Sequence, residues 1–162
     1  MFNHNIFHSG GSMKLIRIIS FLVIGFLAAC SVLTLQPSDF SWPVESVLKV
    51  DDSGKVSDER YSFSFNTQGL FYQEFEDSLS YMDKSLRIIR NIDGFYFITS
   101  DKFKNVYVFK IDDGKLELSE QIFISEFGVE NPALNQRSPY IELIDGNKSL
   151  YLTETGIEKD KK

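Results

Sequence analysis

From residue 44 onward, apolar residues recur at every second position and turn residues recur about every ten, a pattern that few folds accept. In Tyr61-Ser62-Phe63-Ser64-Phe65 the aromatics share one face and the serines the other, the signature of a strand with one face buried. Further strands are predicted over residues 44–50, 70–76, 85–90, 95–99, 106–111, 116–124, 140–144 and 150–153. In the stretch 116–124, Leu116, Leu118, Ile122 and Ile124 are expected on one face. Asp93-Gly94, Asp101 to Lys104 and Asp112-Asp113-Gly114 punctuate the run at the spacing of an antiparallel meander. Residues 77–84 read as a polar connection with room for a turn of helix. Residues 125–138, with Gly128, Asn131-Pro132 and Ser138-Pro139, read as a long loop. The expectation is a single all-β domain over 44–154 with eight or nine antiparallel strands, built as a sandwich, a curled sheet or a small open barrel. Residues 155–162 are a charged tail expected to be disordered.

Within this domain few residues suggest chemistry. Asp51-Asp52 and Asp112-Asp113 lack the alternating spacing of a calcium loop and suit turns, where Asp bonds its own backbone. Glu74 and Glu76, two apart on the expected strand 70–76, are the candidate pair for a carboxylate hydrolase, although a solvated strand face accounts for them better. Arg87 and Arg90 flank Ile88-Ile89 and suit either an anion clamp or cross-strand pairs with acids. Asn147-Lys148-Ser149 matches a glycosylation sequon without further support. Val47 to Lys55 echoes Val108 to Lys115, which hairpins with Asp-Gly turns explain without a blade repeat.

The N-terminal region is of another kind. Lys14 and Arg17 precede an apolar run from Ile18 to Ala29, closed by Leu27-Ala28-Ala29-Cys30. The run is about a dozen residues, short of the roughly 18 a membrane-spanning helix needs and within the range of an export signal. Residues 13–30 resemble the signal helix of a bacterial lipoprotein, with Leu27, Ala28, Ala29 and Cys30 as the lipobox. The resemblance implies a covalent lipid on the Cys30 thiol, cleavage before Cys30, and attachment of the mature protein to a membrane. Ser31, where retention at the inner membrane would favour aspartate, implies the outer membrane, facing the periplasm or the cell surface. In a cell with one membrane, it implies the outer face of that membrane. No particular family is indicated for the domain itself. Residues 1–12 are expected to be a leader upstream of a true start at Met13. Residues 30–43 read as a tether, in which Phe40 and Trp42 either dip into lipid or close the base of the core.

Composition narrows the function. His4 and His8 are the only histidines and Cys30 the only cysteine, so the segment from residue 31 holds neither. That removes Ser-His and Cys-His catalysis, thiolate or imidazole metal sites, and disulfides from its repertoire. All 23 acidic residues follow Cys30, as do all of the 17 basic ones except Lys14 and Arg17, a net charge of about −8. Such a balance disfavours nucleic acid as a partner. The expectation is a non-enzymatic, cofactor-free envelope lipoprotein that binds another envelope protein in an accessory or assembly role. Carriage or sensing of an apolar ligand in a β-barrel is the alternative, and a carboxylate-dependent hydrolase a third reading.

Overall fold

The computed structural model describes residues 41–158. The strands are β1 (Ser46–Lys49), β2 (Lys55–Asp58), β3 (Phe63–Asn66), β4 (Ser85–Arg90), β5 (Phe95–Ser100), β6 (Asn105–Asp112), β7 (Lys115–Phe123), β8 (Pro132–Arg137), β9 (Tyr140–Asp145), β10 (Lys148–Thr153) and β11 (Gly156–Ile157). One helix, α1 (Gln68–Phe75), lies between β3 and β4. All strand pairs are antiparallel: a five-stranded sheet in the order β1-β4-β5-β6-β7, a four-stranded sheet in the order β11-β10-β9-β8, and the hairpin β2-β3. The domain is all-β with no closed barrel.

The five-stranded sheet is the middle of three layers, which explains why its central strands are apolar on both faces. Ile88 and Ile89 in β4, and Phe97 and Ile98 in β5, are all fully buried although consecutive residues point oppositely. The register puts Ser46, Leu48, Leu86, Ile88, Ile98 and Tyr107 on one face. That face is covered by the β2-β3 hairpin, through Ser46 Oγ donating to Asp58 Oδ2 at 2.5 Å, and by α1, through Tyr107 and Glu74. The opposite face, with Ile89, Phe97, Val106 and Val108, packs with Leu134, Ile141, Leu143 and Leu152 of the four-stranded sheet in one continuous core. Val44 adds a bridge to Asn135 at the edge of β8.

Four expectations need correction. Residues 70–76 are not a strand: α1 covers all but the last, and Glu76 caps it at φ 57° with its N–H on Tyr72 O. Phe71 and Phe75 are four apart, a spacing shared by a two-residue and a 3.6-residue period, and their rings pack together on Phe103 only in the helical form. The loop expected over 125–138 contains β8, whose proline occupies the first strand position, where no ladder donor is required. The face expected from 116 to 124 is broken by a bulge at Ser119. Val108 pairs with Glu120 while Phe109 pairs with Leu118, so Leu116 and Leu118 point opposite to Ile122. Finally, β2 was not predicted, and β11 pairs with β10 beyond the expected boundary at 154, taking the strand number to eleven among the described residues.

Candidate functional site

The five-stranded sheet has two distinct ends. At one, the chain enters through Trp42, which is 2% exposed, stacks on Tyr61 and meets Tyr96 edge-on, with its backbone N–H on Arg90 O at 2.9 Å. Trp42 therefore closes the base of the core. The β4-β5 and β6-β7 turns lie at this same end. β6, with eight residues at about 3.3 Å each, separates it from the far end by roughly 25 Å.

The far end is organised by Glu74. Its carboxylate accepts hydrogen bonds from Lys104 N at 2.7 Å, Asn105 Nδ2 at 2.8 Å and the Tyr107 hydroxyl at 2.8 Å. One side chain thus ties α1 to the β5-β6 turn and to β6. Burial, and then the hydrogen bond to Glu74, push the Tyr107 phenol well above its ordinary range. Phe71, Phe75, Phe103 and Tyr107 form the apolar shell beneath, with neighbouring ring centroids 5.0–6.3 Å apart. Gln73 Nε2 donates to Gln121 Oε1 at 2.8 Å, joining α1 to β7 as well.

A loop over residues 124–131 is fastened to the same junction. Ile124 N donates to Lys104 O, Lys102 N to Val129 O and Val129 N to Phe103 O, at 2.9, 2.6 and 2.9 Å. Gly128 allows this contact: at φ +75° it lies so close that a Cβ would stand 2.3 Å from Lys102 O. Between those fastenings Phe127 stands 90% exposed, with Phe123 and Tyr72 each more than half exposed on β7 and α1. Burying a phenylalanine is worth about 1.5–3 kcal/mol, which this arrangement forgoes at Phe127 while holding its backbone in place. The three exposed aromatics thus belong to elements that are held by ordered backbone and side-chain hydrogen bonds.

The other singled-out residues are dispersed. Glu74 and Glu76 do not form a pair on one face: Glu74 is turned inward and buried, and Glu76 is exposed at the helix cap. Asp51 Oδ1 accepts from Lys55 N, Ser53 Oγ and Ser53 N, and these bonds, that from Lys55 foremost, hold its carboxyl below the usual range. Arg87 of β4 pairs with Glu45, just before β1, which also accepts from Leu134 N of β8. Arg90 lies over the Tyr96 ring on the opposite face from Arg87, so the two do not converge on one anion. Ser149 of the sequon and Arg137 donate to Glu142 at 2.6 and 3.0 Å and hold its carboxyl below the usual range. Among the described residues no group of three His, Cys, Asp or Glu is arranged for a metal ion, and no helix is long and apolar enough to cross a membrane. Leu27, Ala28, Ala29, Cys30 and Phe40 lie outside the described residues.

The far-end surface joins α1, β7 and a loop that are distant along the chain, so no local sequence pattern marks it. The one available signal was Phe127 between Glu126 and Gly128, an aromatic at a turn. Comparison with protein-family models, curated proteins and solved structures finds no match.

Proposed function

We propose that this protein is a lipid-anchored bacterial envelope lipoprotein whose β domain docks another envelope protein through the far-end surface of Tyr72, Phe123 and Phe127. The lipobox Leu27-Ala28-Ala29-Cys30 supports attachment, with acyl chains on Cys30 contributing about 0.8 kcal/mol per buried methylene. Ser31 favours the outer membrane, or the cell surface in a single-membrane cell. One observation carries the docking half of the reading. The exposed aromatics stand at the opposite end of the sheet from Trp42, through which the chain enters the domain, and are held there on an ordered support.

The test combines two variants. Cys30→Ala moves the protein from the membrane to the soluble fraction. A Phe123→Ser/Phe127→Ser double variant, its fold checked by circular dichroism, loses a partner that the wild type recovers reproducibly from crosslinked membranes. Recovery of no reproducible partner, or its full retention by the double variant, overturns the docking half. A carrier built as a closed β-barrel does not match the two open sheets, whose apolar side chains form one core.

A further inference from the structure

Building on the docking reading, we infer that the far-end surface takes a basic, apolar segment of its partner protein. Carboxylates adjoin the exposed aromatics. Glu76 and Asp77 follow Tyr72 at the end of α1, and Glu126 adjoins Phe127; all three are exposed. Of the two lysines on the β5-β6 turn, Lys102 is answered from within. Lys102 Nζ donates to Glu130 at 2.7 Å, and that bond, with the charges of Glu130, Asp101 and Asp145, raises its pKa. The backbone N–H of Lys104 is spent on Glu74, and its exposed side chain is the one cation on the turn beside the aromatics not engaged by such a pair. A partner that brings aliphatic or aromatic side chains to Phe127, Phe123 and Tyr72 therefore meets carboxylates around them. Lysine or arginine flanking its apolar residues gives complementary charge, and acidic flanks give like-charge repulsion.

The same charges disfavour two other occupants. A second copy would set Glu76, Asp77 and Glu126 near their own equivalents across a two-fold interface. An anionic lipid surface would meet the same acids, on a segment that carries a net charge of about −8 after Cys30.

The experiment places a photo-activatable benzoylphenylalanine at position 127 in the full chain, in cells, with Cys30 intact. Adducts are isolated and the contacted peptide is sequenced by mass spectrometry. The inference predicts one reproducible protein segment with an excess of Lys and Arg around apolar residues. It also predicts an adduct yield at least fivefold lower in a Glu76→Lys/Glu126→Lys background, whose fold circular dichroism shows to be unchanged. A reproducible partner whose contacted segment is neutral or acidic, or a yield untouched by charge reversal, overturns this inference and leaves the docking reading intact. An adduct with a second copy overturns the inference in favour of self-association. Adducts with lipid alone, or none with protein, overturn both readings together.

Discussion

Trp42 and Tyr61 stack with ring centroids 3.8 Å apart and planes 7° from parallel. The contact fixes the point at which the chain enters the domain to the β2-β3 hairpin. Phe63 continues the stack at 5.4 Å from Trp42, and Phe65 lies 6.0 Å beyond Phe63, so the three aromatics read from the sequence as one face form a ladder on Trp42.

Trp42→Ala is therefore expected to destabilise the domain by about 3–5 kcal/mol, the usual range for deleting a buried large aromatic. Urea denaturation measures it. Because Trp42 is the only tryptophan, the wild-type emission should be that of a buried indole and should not change on adding vesicles. A loss below about 1 kcal/mol, or a vesicle-dependent emission, would return Trp42 to the tether.

Tyr107 yields a pH prediction. Its phenol is raised in the folded state, so its contribution is complete below the ordinary value of 10.0 and is lost as pH rises past it, because the unfolded chain releases the proton first. Tyr107→Phe should lower stability near neutral pH by about 1 kcal/mol through the lost bond to Glu74 and flatten the alkaline fall. Denaturation between pH 7 and 11 compares the two slopes; equal slopes would contradict the assignment.

Glu142 has the opposite sign. Its carboxyl is held down by Ser149 and then Arg137, so its contribution is complete above the ordinary value of 4.5 and is lost as pH falls through the lowered folded value. Glu142→Gln should be less stable than wild type at pH 7 and converge on it at acid pH. Thermal unfolding at pH 7, 4 and 3 checks the convergence; a constant difference would show that the charge is irrelevant.

Gly128→Ala tests the support beneath Phe127. The substitution meets Lys102 O and a positive φ, each a source of strain, and is expected to remove about 2 kcal/mol. Hydrogen exchange should show lost protection at Lys102 and Val129 amides, with β4 and β5 unchanged. Unaltered protection at both amides would mean that the loop is not fastened there.

Much of the fold was legible because local chemistry and tertiary packing agreed. The β6-β7 turn needs positive φ at both central residues, 45° at Asp113 and 74° at Gly114, which Asp-Gly supplies. The alternation of Tyr61, Phe63 and Phe65 matches the single half-buried face of β3 and the residues before it. Misreadings arose where two periods coincide, as at Phe71 and Phe75, or where an edge strand starts on proline, as at Pro132. The bulge at Ser119 left no mark in the residues around it. For the candidate site, Glu74 was noticed as chemistry, but its role depends on Lys104, Asn105 and Tyr107, about thirty residues later, which no local pattern connects to it. Phe127 is exposed by packing around Gly128 and Lys102, which spacing alone does not specify.

The proposed docking role depends most on the state of Cys30, because acylation there would attach the acidic β domain to a membrane. Mass spectrometry of the N-terminal peptide from the membrane-purified protein tests this directly. The expected result is a peptide beginning at Cys30 and carrying fatty acyl groups; an unmodified thiol, or a mature chain still carrying residues 13–29, would contradict it.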